Sequence, residues 1–491
     1  MKISWKAITP LLAAAGVALL PAPAGLPLFA WRYFALFAGV VAGIILEPLP
    51  GGAVGLIGVT AAALLDRFVL FSPQELGKPG FDAAGSSINW ALSGFGNGTV
   101  WLIFAAFMFS LGYKKTGLGA RIALLLVRLM GRRTLLLGYS VMLADTALAP
   151  FTPSVTARSA GTIYPVLLHL PPLYDSRPND PSMRRIGSYI LWVAMATSCV
   201  SSSLFLTALA PNLLAMEIVR NTVHLHFTWM QWFLSALPMG LLLLVLIPLV
   251  GYVVCRPEVT RGEAVVAWAA EELRRMGSVT RGEKLLLALV ALALVLWIAG
   301  GSLIDPTVAA LAVIVLMLLL GVLTWDDVLK NSGAWNTLVW FATLVALAAG
   351  LGRVGFIGWF AQSVCQHVAG LAPLTALLLL LTVFYFSHYA FASITAHVTA
   401  MLPVLLAVAL SLPGLPLAPT AMLLCLALGL MGVLTPYASG QNPVYYGSGY
   451  LPSQLFWRLG AIFGLLYFAV YVLVAVPWVL VVGTKTFLAG M

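Results

Sequence analysis

Apolar runs long enough to cross a bilayer follow one another along nearly the whole chain, separated by short polar connections. Such runs must satisfy their own backbone groups in lipid, which leaves only helices or closed barrels. A barrel would read as short segments of alternating polarity, and none is present. The expected fold class is therefore an all-α polytopic membrane protein. Of 491 residues, 9% are charged, against about 25% in soluble domains.

The net charge of +10 does not indicate a nucleic-acid partner. Lys and Arg sit mostly in connections, with Lys114, Lys115, Arg121, Arg128, Arg132 and Arg133 in one group and Arg256 to Lys284 in another. Cytoplasmic loops have this composition. Cys199, Cys255, Cys365 and Cys425 lie far apart in apolar runs and read as buried thiols. Neither "HLH" at His224–His226 nor Cys365-x-His367 supplies a metal ligand set. No cofactor motif is present. The start, "MKISWKAITPLLAAAGVALLPAPAG", mimics a signal peptide but is read as a retained first span.

Eleven spans are expected, at 7–22, 31–46, 51–66, 99–131 (bent), 186–219, 228–255, 284–300, 305–324, 337–368, 417–450 and 456–482. Residues 1–30 hold the N-terminal span, 31–255 a first repeat and 284–491 a second. Between the repeats, 256–283 reads as an amphipathic cytoplasmic segment. "SGFGNGTVW" from Ser93 resembles "SGAWNTLVW" from Ser332, an offset of 239. That offset also carries Ser154, Thr156, Ala157 and Arg158 onto Ser393, Thr395, Ala396 and His397. Two motifs sharing one ungapped offset indicate an internal repeat.

Around each Ser-x-Thr the chain forms two arms, at about 134–171 and 374–411, read as re-entrant hairpins. Five crossings plus a hairpin per half would make the repeats inverted, a transporter signature. A polar-interrupted span follows each hairpin, at about 186–219 and 417–450. The first carries Ser201, Ser202, Ser203, Thr207 and Asn212; the second carries Thr435, Pro436, Ser439, Gly440 and Asn442. Pro and Gly there are expected to unwind the helix and free backbone groups for a ligand.

A carboxylate held inside a membrane needs donors and positive potential, which helix N-termini supply. Ser154 with Thr156, and Ser393 with Thr395, fit two poles, one for each end of a dicarboxylate. Arg158 and His397 would add positive charge behind the hydroxyls. Taken singly, each has a plainer reading: Ser-x-Thr as a helix cap, Arg158 snorkelling to the interface, His397 donating to a carbonyl. Their symmetric placement favours the anion site.

"LAPFTPSVTARSAGTIYP", "SSSLFLTALAPN", "HYAFASITAHVTAMLP" and "GQNPVYYGSGY" resemble the divalent anion/sodium symporter superfamily. Within it they are most similar to the exchanger branch of citrate/succinate, tartrate/succinate and 2-oxoglutarate/malate translocators. The resemblance covers nearly everything after residue 31. It implies a homodimer working as an elevator in a bacterial inner membrane, with a scaffold domain, a transport domain and di- or tricarboxylate substrates. The superfamily has Ser-Asn-Thr at each hairpin tip, where Asn helps hold substrate and sodium. Here Val155 and Ile394 stand instead. The resulting expectation is an obligatory dicarboxylate antiporter that does not use sodium. Its expected substrate-binding set is Ser154, Thr156, Arg158, Ser393, Thr395 and His397, completed by Ser202, Ser203, Thr207, Asn212, Thr435 and Asn442. Arg158 and His397 would stand unpaired in the empty carrier, making its movement costly. Competing readings are a sodium-coupled symporter, a membrane enzyme acting on a lipid-linked substrate, and a passive anion channel.

Overall fold

A computed structural model describes residues 5–46, 48–261, 263–299, 303–368 and 372–486. Eight helical segments among these are long and apolar enough to cross a membrane, and four shorter apolar helices accompany them. The bent span is two helices, Gly98–Thr116 and Leu118–Met130, hinged at Gly117 with φ 80°. Only glycine adopts that left-handed conformation without strain, and it ends the first helix as a C-cap.

The first hairpin descends as Thr134–Leu148, turns through Ala149–Phe151 and returns as Thr156–Ile163 and Tyr164–Leu167. Thr156–Ile163 is wound with wide i→i+5 turns, a geometry frequent at functional sites. The second hairpin pairs Pro373–Ser387 with Ile394–Ser411. Its arms are more regular, and the return arm reaches 18 residues.

Both polar-interrupted segments are broken. The first runs Gly187–Leu204, turns at Leu206–Ala208 and resumes as Ala210–Val223. The second runs Leu417–Leu430, turns at Met431–Val433 and resumes only as Asn442–Tyr446. Proline stands at the start of each resumed helix, Pro211 and Pro443. There a missing N–H costs nothing and the fixed φ suits the first turn.

Between the halves, Glu263–Met276 is a helix with Val265, Ala269 and Leu273 buried, and it lies against Leu118–Met130. A buried pair joins Arg121 Nε to Glu283 Oε1 at 2.5 Å, and Arg121 also donates to the Gly277 carbonyl. The side chains of Cys365 and His367 lie outside the described residues. His224 and His226 belong to no cluster of metal-ligating side chains among the described residues.

Candidate functional site

Each hairpin tip is fastened to the break in the helix that follows it. In the first half the Ala210 N–H donates to the Pro153 carbonyl at 2.8 Å. The Thr207 hydroxyl donates to the Pro150 carbonyl at 2.5 Å and accepts from Trp229 Nε1. In the second half the His388 ring nitrogen Nε2 pairs with the Ala438 carbonyl at 2.9 Å. Tyr437 adds a bond from its hydroxyl to the Tyr389 carbonyl. Tips and breaks therefore form one interlocked centre, built from segments distant in sequence.

The four tip hydroxyls differ in exposure. Ser154 Oγ accepts from the Ala157 N–H at 3.2 Å, and Ser393 Oγ accepts from the Ala396 N–H at 3.5 Å. Both serines are caps, as the plainer reading has it, but a cap uses an oxygen lone pair and leaves the hydroxyl proton free to donate. Thr156 is exposed and Thr395 half-buried. Across from Thr156 lies Gly440 of the second break, where an added Cβ would sit 2.4 Å from Thr156 Oγ1. Glycine is required there by close approach. Ser159 on the same arm pairs with the Tyr445 hydroxyl at 2.8 Å, so the first hairpin's return arm lies against the second broken helix.

The expectation of an unpaired guanidinium at Arg158 is corrected by the structure. Arg158 is buried and forms an ion pair with Asp145 at 3.2 Å, neither side chain being exposed. Its Nη1 donates to the carbonyls of Thr152 and Ala208, both at 3.0 Å. Its Nη2 reaches the Ser198 carbonyl and the hydroxyls of Ser201 and Ser202. Ser201 in turn donates to Asp145 Oδ2 at 2.5 Å. A guanidinium has five N–H donors, and protein acceptors engage all three nitrogens. Arg158 thus binds both hairpin arms to the first broken helix, and its charge is balanced by Asp145.

The second half solves the same position differently. The offset of 239 carries Asp145 onto Phe384 as it carries Arg158 onto His397. Phe384 and His397 pack with ring centroids 4.6 Å apart, with Phe391 at 4.8 Å and His388 at 5.0 Å. His397 Nε2 pairs with Ser387 Oγ at 3.0 Å, while Nδ1 is buried without a hydrogen-bond partner among the described residues. An ion pair in one repeat is an aromatic nest in the other.

Two asparagines close the breaks alike. Asn212 Nδ2 donates to the Ser202 carbonyl at 2.7 Å and to that of Phe205 at 3.3 Å. Asn442 Nδ2 donates to the carbonyls of Gly432 and Thr435, both at 2.7 Å. They satisfy the carbonyls that an interrupted helix leaves orphaned. The acceptor oxygens of both asparagines, Ser203 Oγ and Thr435 Oγ1 are buried without partners among the described residues. Ser202, by contrast, spends its hydroxyl on the Ser198 carbonyl and Arg158.

Sequence reasoning gave no role to Asp145, Ser198, Gln441 or His388. Gln441 Nε2 donates to Ser198 Oγ at 3.1 Å, linking the two broken helices. Asp145 had a legible signal: a lone acid and a lone arginine within one apolar hairpin need each other in lipid. His388 and Gln441 had none, because their partners lie about 50 and 240 positions away in the chain.

The sodium:sulfate symporter transmembrane region, as a family pattern, matches residues 1–484. The chain is similar to the L-tartrate/succinate antiporters of Escherichia coli strain K12 and Shigella sonnei strain Ss046. Each is 48% identical over 478 residues, 97% of this chain and 98% of the relative. Two solved structures share the fold. The Alcanivorax borkumensis YdaH transporter superposes with a TM-score of 0.57 at 15% identity, covering 87% of this chain and 96% of that one. Neisseria gonorrhoeae MtrF superposes at 0.55 and 12% identity, covering 88% and 95%.

Proposed function

The chain belongs to the sodium:sulfate symporter family, and from that premise we propose that it exchanges C4–C5 dicarboxylates across the membrane without sodium. The near-full-length similarity to L-tartrate/succinate antiporters carries this reading. Tartrate and succinate each present two carboxylates, and the interlocked centre offers two hairpin tips with donor hydroxyls. Ser154 and Thr156 receive one carboxylate, and Ser393 and Thr395 the other, assisted by helix N-termini. The return arm from Ile394 begins at such an N-terminus, with Ser393 as its cap. Asn212, Asn442, Ser203 and Thr435 frame the site from the breaks, and His397 backs the second tip. Arg158, Ser202 and Thr207 hold the first tip in place.

Independence from sodium is supported by Val155 and Ile394. Both are buried, and neither has a side-chain oxygen to offer a hard cation, which prefers oxygen ligands. The carrier is taken to be a homodimer in a bacterial inner membrane, moving its hairpins and broken helices as a body against the remaining helices. A second reading, sodium-coupled symport, is favoured by the unpartnered oxygens of Thr435 and Asn442.

Proteoliposomes separate the two. Uptake of labelled succinate is expected to require internal succinate or tartrate and to ignore an imposed sodium gradient. Uptake into empty vesicles driven by external sodium would establish symport instead.

A further inference from the structure

Where the 26-residue helix Trp229–Val254 ends, the segment 255–261 runs like a strap across the start of Thr134–Leu148 and the end of Pro181–Arg185. Its Thr260 carbonyl accepts from the Thr134 N–H at 3.2 Å, and its Val259 N–H donates to the Arg185 carbonyl at 3.0 Å. The Thr134 hydroxyl adds a bond to the Val259 carbonyl at 2.6 Å. Arg133 and Arg261 stand directly opposite one another in an isolated antiparallel bridge. Like charges in that arrangement repel. Arg184 adjoins Arg185, and the Ser188 hydroxyl donates to the Tyr450 carbonyl at 2.7 Å, which brings the start of Ser453–Val470, with Arg458, to the same junction. Arg256 adjoins Cys255.

Six arginines thus gather on one rim: Arg133, Arg184, Arg185, Arg256, Arg261 and Arg458. All but the half-buried Arg185 are exposed. Only Arg185 has a carboxylate within ion-pair distance among the described residues, namely Asp175 at 3.7 Å. Glu258, exposed on the strap, makes no ion pair in that set. The neighbouring Arg274 and Arg275 are different, since both pair with Glu271 and Arg275 also with Glu272.

Position identifies the counter-ion. Arg133 immediately precedes the span Thr134–Phe151, Arg256 lies two residues beyond Val254, and Arg458 is in the second turn of Ser453–Val470. This is headgroup depth. Arginine forks match phosphate oxygens in pairs, and basic clusters beside span ends attract anionic leaflets. We propose that the strap at 255–261 and the helix ends it crosses form a binding site for the phosphate headgroup of an anionic phospholipid. The site is separate from the interlocked tips and breaks and does not depend on the transported substrate.

Native mass spectrometry of the detergent-purified full chain tests this with added phosphatidylglycerol or phosphatidylcholine. Wild type is expected to retain several-fold more phosphatidylglycerol. Arg133→Gln with Arg261→Gln, and separately Arg184→Gln with Arg256→Gln, should each lower that preference. Arg274→Gln with Arg275→Gln should leave it unchanged. If a rim variant fails to fold, wild type alone decides: high salt should abolish the preference and succinate should not. Equal retention of both lipids by wild type overturns the proposal. So does equal loss in the Arg274/Arg275 variant, or displacement of phosphatidylglycerol by succinate at constant ionic strength.

Discussion

Asp145 and Arg158 meet at 3.2 Å inside the first hairpin, with neither side chain exposed to the surroundings. Removing one partner strands the other as a buried charge, a loss of about 3–5 kcal/mol. Arg158→Ala and Asp145→Ala are therefore each expected to lower the melting temperature of the purified protein and its exchange rate together. Asp145→Leu combined with Arg158→Met should recover part of the stability, though the Thr152 and Ala208 carbonyls stay without their donor. A melting curve for Arg158→Ala indistinguishable from wild type would contradict the structural role.

Gly440 and Thr156 make a second testable contact. A methyl group at 440 would meet Thr156 Oγ1 at 2.4 Å, closer than van der Waals contact allows, so Gly440→Ala should push the first tip away from the second break. Its predicted signature is a raised KM for succinate exchange with protein yield maintained. Thr156→Ala should raise KM by removing a donor. Adding Thr156→Ala to Gly440→Ala should then cost less than the two single effects summed, since the clash has gone.

The break-closing asparagines predict an asymmetry between isosteres. Asn442→Asp keeps both the shape and an acceptor but loses the donor that serves the Gly432 and Thr435 carbonyls, and it adds a buried charge. Each orphaned carbonyl costs about 1–3 kcal/mol. Asn442→Asp should therefore melt below Asn442→Ala, and Asn212→Asp below Asn212→Ala. The reverse order in thermal melting would show that these amides do not carry the breaks.

Outside the membrane-spanning helices, Asp327 receives hydrogen bonds from Lys115 and from the side chain and backbone of Thr324. Lys115 foremost holds its carboxyl well below the usual carboxylate range. A depressed carboxyl stabilises the fold above its ordinary titration range, and that contribution fades as pH falls through the lower folded value. Asp327→Asn should thus destabilise modestly at neutral pH and low salt, with the difference shrinking in high salt or strong acid. Both partners are partly exposed, so the effect is that of a surface pair, about 1 kcal/mol or less. Melting of the two proteins across pH and salt checks it.

Much of the architecture was legible because it rests on local causes. Apolar runs name the helices, and the bend in 99–131 and the polar interruptions of 186–219 and 417–450 are read from the chain itself. The offset of 239 pairs Ser154 with Ser393 and Thr156 with Thr395 from the sequence alone. Side-chain partners were another matter. The sequence placed Arg158 and His397 at equivalent positions, and chemistry alone made them look like equivalent cations.

Tertiary structure decided what each position does. Asp145 sits one arm away from Arg158 and balances it, while Phe384 takes the corresponding place beside His397. Repeat symmetry in a sequence reports where the backbone passes, since helices and turns depend on neighbours along the chain. Whether a buried charge is free, paired or replaced by a ring depends on neighbours in space, which only folding brings together.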